Sequence, residues 1–437
     1  MKIKRDLMTK LIDWKNSNDR KPLILKGVRQ CGKTFLLQEF GKQNFKSIAY
    51  FNFEQNKDLA SLFEGSYEPK IILQNLSVVA GINIEPKNTL VIFDEIQACP
   101  RAINSLKYFC EQTPEYAVVS AGSLLGISLA SEVGFPVGKV AFLELTPCTF
   151  KEYLQTVDEP LSKYCETLHI AEIPAVFTSK LENHLREYIA LGGMPSVLKK
   201  FIESGDILAA DKILDEILKS YELDFSKHAP KTDIQKLYLI WKSIPAQLAR
   251  ENARFIFGEV RDGARAKDLE DELGWLLNAG LAQKVNNVKT AQTPLVSYEE
   301  RKLFKLYLSD TGVLRKLSKL PLNIVMTNSD IFGEFKGRLA ENYVLQQMVA
   351  LNIDPICYWT SGAKAEIDFI MQSDNGIIPI EVKSGMNLKA KSLKTFRQTY
   401  SPKISIRTSM QNLRFDDGLL NIPLYLVNQM PRLIELV

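Results

Sequence analysis

Histidine is scarce in this 437-residue chain, three in all, and the six cysteines (Cys31, Cys99, Cys110, Cys148, Cys165, Cys357) include no CxxC pair. Structural zinc sites draw on clustered Cys and His, so a zinc site has little to work with, and a reducing, cytoplasmic setting is expected. Long apolar runs are missing too: no stretch approaches the roughly 18 uninterrupted apolar residues of a membrane helix. Residues 1–21, MKIKRDLMTKLIDWKNSNDRK, carry charge throughout, with no apolar core or small-residue cleavage site, so no secretory leader is expected. There is no low-complexity tract and no internal repeat. Net charge is only +4, so bulk electrostatics points to no polyanionic partner. What remains, 46% apolar and 24% charged residues, is the composition of a globular protein with length for two to four domains.

Charge is distributed unevenly. Between Val382 and Phe415 there is no acid, while Lys383, Lys389, Lys391, Lys394, Arg397, Lys403, Arg407 and Arg414 are basic. A charge run usually coats a solvated face, but this one follows directly on a cluster of acids and a lysine, where an electrostatic footprint for phosphates would be useful.

Residues 22–40, PLILKGVRQCGKTFLLQEF, satisfy the spacing G-x-x-x-x-G-K-[ST] with Gly27, Gly32, Lys33 and Thr34. A short apolar strand precedes the loop, and a helical apolar pattern opening at Phe35 follows it. In that context glycines let backbone N–H groups curl around phosphates, the lysine reaches the terminal phosphates, and the threonine hydroxyl ligates Mg²⁺. The nucleotide-binding set is then Gly27, Arg29, Gln30, Gly32, Lys33, Thr34 and Phe35. LVIF (90–93) reads as a strand buried in a parallel sheet. It ends in Asp94, expected to hold the Mg²⁺ shell, and Glu95, expected to activate the attacking water. SIAYFNF (47–53) is a further strand. Another, 117–121, ends at Gly122-Ser123, where Ser123 reads equally as a γ-phosphate sensor or a helix cap. Arg29 and Arg101 both stand as arginine-finger candidates.

GVRQCGKT (27–34), FDEIQ (93–97) and SAGS (120–123) together resemble the AAA-like prokaryotic ATPases related to the wider AAA+/STAND group. FPVGKVAFLELTPCTFKEYL (135–154) is similar to the segment by which that family leaves the ATPase core, with Lys139 where many relatives have arginine. YIALGGMPSVL (188–198) is similar to its helical lid, and the resemblance implies that Gly193 and Pro195 approach the adenine.

From about Tyr221 the pattern changes to short helices. Leu269, Leu273, Leu276 and Leu277 recur at helical spacing, Gly280 supplies a stop, and strands follow at 283–288 and 303–308. Helices followed by a hairpin suggest a winged helix, which the resembled family also has here. Asp268, Glu270, Asp271 and Glu272 would meet phosphates unfavourably, so a structural or protein-contact role is weighted above DNA readout.

In AEIDFIM (365–371) Glu366 and Asp368 share one face. In IIPIEVKSG (377–385) Glu381 and Lys383 share another, opposite Ile378, Ile380 and Val382. A half-buried hairpin would give this pattern with no function at all. Upstream, however, helix 337–351 places Glu341 in line with Leu345 and Met348, costly unless the carboxylate has a partner or a job. Helix Glu, strand Asp, then Glu-x-Lys resembles the restriction-endonuclease-like PD-(D/E)XK fold. The resemblance implies that Asp368 and Glu381 bind Mg²⁺, that Lys383 positions the water and that Glu341 completes the site.

The fold class expected is α/β: a P-loop NTPase parallel sheet (1–140), a helical lid (141–220), a winged-helix-like domain (221–320) and a restriction-endonuclease-like α/β domain (321–437). The whole resembles prokaryotic ATPases with a fused nuclease-like domain. An ATP- and Mg²⁺-dependent ATPase acting on nucleic acid, DNA ahead of RNA, is therefore expected, with no membrane partner and homo-oligomers allowed. The alternative is an ATP-driven regulatory switch on a protein partner, the C-terminal domain serving as an inactive docking or DNA-binding module.

Overall fold

The computed structural model describes residues 2–122, 136–229, 232–327, 333–362, 365–385 and 391–437. They fall into two compact units: Arg5–Thr146 with Asn278–Gly280, and the rest of the described chain.

The first unit is built on β1 (Leu23–Lys26), β2 (Ser47–Asn52), β3 (Thr89–Asp94), β4 (Ala117–Ala121) and β5 (Ala141–Glu144), in the order β2-β3-β4-β1-β5. Every neighbouring pair is parallel. Parallel strands are covered on both faces and need continuous apolar sequence. TLVIFD of β3 is buried at every position, its terminal aspartate included. One face packs on a cluster of rings in which Phe93 meets Phe53, Phe63 and Phe109 edge-on, between 5.7 and 6.2 Å. The register sets Asn52 beside Asp94, so two polar side chains meet at the carboxyl edge, where such sheets bind ligands. β5 extends the sheet beyond residue 140, and the unit's long segment runs to Thr146.

The second unit opens with helices, the first of them held by a capping box between Thr149 and Glu152. Its sheet has eight strands: β6 (Ala282–Val288), β7 (Glu299–Leu308), β8 (Ile356–Thr360), β9 (Glu366–Ser373), β10 (Gly376–Val382), β11 (Ser405–Ser409), β12 (Arg414–Asp416) and β13 (Leu419–Pro423). Their order is β12-β13-β11-β10-β9-β8-β6-β7. The hairpin β6–β7, expected as the wing of a separate domain ending at 320, instead continues this sheet. Asn286, Asn287 and Val288 pair in parallel with Cys357, Tyr358 and Trp359 of β8. Period alone shows that a strand exists, and cannot show which sheet completes its hydrogen bonds.

β10 also departs from half-burial, since every residue from Ile378 to Val382 is buried. Helix 333–350 packs on this strand, so Glu381 faces protein rather than water. Among the described residues no helix is long and apolar enough to cross a membrane.

Candidate functional site

In the first unit the loop between β1 and helix 33–44 places its lysine inward. Lys33 is buried, and its Nζ donates to the carbonyls of Gly27 (2.7 Å) and Val28 (3.0 Å). Gly27 has φ +148°, and a Cβ there would lie 2.2 Å from the Leu145 carbonyl oxygen, so only glycine fits. Arg5 ties the loop down, donating to the carbonyls of Cys31 (3.0 Å) and Thr146 (2.6 Å). Gln30 takes a left-handed backbone (φ 65°), Arg29 lies beside it on the loop, and Phe35 is half exposed at the helix start.

Thr34 Oγ1 donates to Asp94 Oδ2 at 2.8 Å, joining loop and strand tip. Tyr50 Oη donates to the same oxygen at 2.7 Å and receives Asn52 Nδ2 at 3.2 Å. Burial pushes the Tyr50 phenol up to about 12, with Asn52 opposing and Asp94 and Glu95 adding to the rise, so it remains a donor at neutral pH. Glu95 has a left-handed backbone (φ 49°), and its Oε2 accepts from Gln97 Nε2 at 2.5 Å. A hydroxyl and a carboxylate side by side are the donor set that suits Mg²⁺, which takes few protein ligands and fills the rest with water and phosphate oxygens.

Of the finger candidates, Arg101 is committed locally. It donates to the carbonyls of Phe63 (2.8 Å) and Glu64 (2.9 Å) and lies over the Tyr67 ring. Lys139 pairs with Glu111 at 2.9 Å. Ser123 lies outside the described residues. Gly193 and Pro195 belong to the second unit, where Gly193 N donates to Asp310 Oδ2 at 2.6 Å and Pro195 opens helix 195–204.

The second unit brings Glu341, Asp368, Glu381 and Lys383 into one charged cluster. Lys383 Nζ is 2.6 Å from Glu381 Oε1, while Glu381 Oε2 is buried and accepts no hydrogen bond among the described residues. Asp368 Oδ2 accepts from the Val382 amide at 2.7 Å. Burial, then Glu341 and Glu381, push the Asp368 carboxyl well above its ordinary range, with Lys305 and the amide opposing. Burial also raises Glu381, against the pull of Lys383. Glu341 is gripped by Tyr307 Oη (2.8 Å) and Arg338 (2.7 Å). Lys305, fully buried, sits 2.6 Å from Glu366. Burial works to lower its pKa, but Glu341, Glu366 and Asp368 prevail and hold it above the usual lysine value.

Among the described residues no three His, Cys, Asp or Glu side chains converge as a metal site. Mg²⁺ needs only one or two carboxylates, and the orphaned, buried oxygen of Glu381 near the crowded Asp368 fits such an ion.

Tyr50, Lys305, Tyr307, Arg338 and Glu366 were not singled out as site residues by sequence reasoning. Their signals are faint: Tyr50 and Asn52 at period two in an apolar strand, Lys305 and Tyr307 likewise in LFKLYL, and Arg338 three residues before Glu341.

Residues 19–154 match the family model of an AAA domain, and residues 182–323 and 336–427 match two domains of unknown function, DUF8612 and DUF4143. No curated protein matches the chain. Among solved structures it is similar to the Walker-type ATPase PABY2304 of Pyrococcus abyssi, at 14% identity over 72% of this chain and 96% of that one, TM-score 0.46. It is also similar to Cdc6p of Pyrobaculum aerophilum (12% identity, 74% and 92% covered, TM-score 0.25). The RuvB Holliday junction branch migration motor of Thermotoga maritima is a third (16% identity, 64% and 89% covered, TM-score 0.30). The AAA-domain match spans the phosphate loop and the Asp94 strand tip, and this part of the chain is a P-loop ATPase domain of the AAA type.

Proposed function

We propose that the chain is an Mg²⁺-dependent ATPase that couples ATP binding and hydrolysis to action on nucleic acid through a C-terminal nuclease-like domain. In the ATPase domain Lys33 and the loop amides bind phosphate, Thr34 and Asp94 hold the ion, and Glu95, oriented by Gln97, takes the proton of the attacking water. Mg²⁺ held there neutralises phosphate charge and fixes its geometry. For the C-terminal domain, the observation that carries the reading is that four residues scattered over 341–383 meet in one cluster, with a buried Glu381 oxygen that accepts no hydrogen bond among the described residues. Asp368 and Glu381 would hold the ion that activates water, and Lys383 would steady the water or the phosphate. The resemblance to the PD-(D/E)XK order supports the same assignment.

Two measurements test it. Lys33→Ala should abolish ATP binding, whereas Glu95→Gln should bind ATP and turn it over about a hundredfold or more slowly. Undiminished hydrolysis in Glu95→Gln would take that role from Glu95. Salt-titrated DNA and RNA binding, with and without ATP and Mg²⁺, should show binding that weakens with salt and Mg²⁺-dependent cleavage that vanishes in Asp368→Ala. Absence of any nucleic-acid binding, with nucleotide-dependent capture of a protein, would favour the regulatory switch instead.

A further inference from the structure

Lys305 has no exposed surface, and it lies in the apolar run LFKLYL of β7. A lone ammonium in that setting would shed its proton. Here Nζ is 2.6 Å from Glu366 Oε1 and 5.0 Å from the centre of the Tyr358 ring. The charges of Glu341 and Asp368 act on it as well. Arg338 pairs with Glu341 at 2.7 Å and Lys383 with Glu381 at 2.6 Å. Among the described residues, four carboxylates are thus matched by three fixed cations. Among the described residues Asp368 has no ion-pair partner, and the Val382 amide and the field of Lys305 act on it.

The position of Lys305 in the chain makes this unexpected. Glu341, Asp368, Glu381 and Lys383 fall within the 336–427 family match, whereas Lys305 falls within the separate 182–323 match. It joins them because β7 belongs to the same eight-stranded sheet.

We propose that Lys305 is a built-in cation of the C-terminal site: it neutralises the carboxylates from within, so the fold needs no divalent ion, and it lowers the affinity with which Asp368 and Glu381 take one up. The inference rests on reading Asp368 and Glu381 as ion ligands. Lys305 interacts electrostatically with Asp368, and a unit charge acting through a protein interior on a divalent ion held there shifts its binding by about tenfold or more. Lys305 acts on the ion through the field and through the carboxylates, so it is a positioning residue.

The test is calorimetric titration of the nucleotide-free full chain with Mn²⁺, in an Asp94→Asn background that removes the ATPase-domain carboxylate. Lys305→Met and Lys305→Gln should bind Mn²⁺ about tenfold or more tightly than the background protein, and Lys305→Arg should bind like it. The background protein should melt at the same temperature with and without EDTA. Neutral variants that bind Mn²⁺ no more tightly overturn the proposal. A background protein whose melt collapses in EDTA also overturns it, and that measurement needs no Lys305 variant to fold. Neutral variants that fold only with Mn²⁺ support it. Asp368→Asn separates the two ideas. Unchanged Mn²⁺ binding there removes the ion-ligand reading, while lost binding there with unchanged affinity in Lys305→Gln sinks the Lys305 proposal alone.

Discussion

Asp94 Oδ2 receives two hydroxyls, Thr34 at 2.8 Å and Tyr50 at 2.7 Å. In the proposed ATPase, the Thr34 oxygen would turn from Asp94 to the ion. Tyr50 would then be the remaining hydroxyl that orients the carboxylate, with Asn52 behind it holding the phenol in place. A hydrogen bond to a charged group contributes about 1.5–3 kcal/mol. Tyr50→Phe is therefore expected to raise the Mg²⁺ concentration for half-maximal ATPase activity by about tenfold, with the KM for ATP little changed. Steady-state rates across an Mg²⁺ series check this, and a lowered melting temperature with an unaltered Mg²⁺ dependence would reduce Tyr50 to a packing residue. The phosphate loop and Asp94-Glu95 were legible in the sequence because each is a local spacing beside an apolar strand. Tyr50 was not, because its partner lies across a strand pair whose register no local pattern specifies.

Among the elements of the second unit, three segments meet at Asp310. Its carboxylate caps helix 311–317 by accepting from Val313 N at 3.0 Å, and it accepts from Gly193 N at 2.6 Å. Gln346 bridges it to Tyr188, whose hydroxyl donates to the Cys148 carbonyl. Burial pushes the Asp310 carboxyl up, and these amide bonds oppose the rise. A carboxyl whose pKa is raised on folding favours the folded state as pH falls, so Asp310 is no source of acid lability. The backbone is as constrained as the charge: a Cβ on Gly193 would lie 2.1 Å from the Cys148 carbonyl oxygen and 2.9 Å from Tyr188 Oη. Gly193→Ala should cost about 2–3 kcal/mol, whereas Gly258→Ala, where a Cβ meets nothing within 4 Å, should cost little. Urea denaturation of the two variants decides, and equal midpoints would refute the steric account. The helix carrying Glu341 was legible from its apolar period, running 333–350 against an expected 337–351. The Gly193 turn was legible as a motif, but its surroundings were not, since Asp310 is more than a hundred residues away.

For the molecule as a whole, the sheet is the unit that matters, and it ignores the sequence boundary near 320. Without β6 and β7, a fragment of residues 321–437 would expose the edge of β8 and leave Asn287's buried partner Thr360 unpaired. It would also strip Glu366 of Lys305 and Glu341 of Tyr307. Breaking one buried ion pair costs about 3–5 kcal/mol, a large part of the roughly 5–15 kcal/mol that keeps a domain folded. Residues 321–437 should therefore lack a cooperative thermal transition, whereas residues 147–437, which keep all eight strands and the helices packed with them, should show one. Circular dichroism melts of the two fragments make the comparison. A sharp transition in the short fragment would mean that β10, β9 and β8 with helix 333–350 hold their charges without β7, and the carboxylate cluster would then be self-sufficient within the 336–427 match.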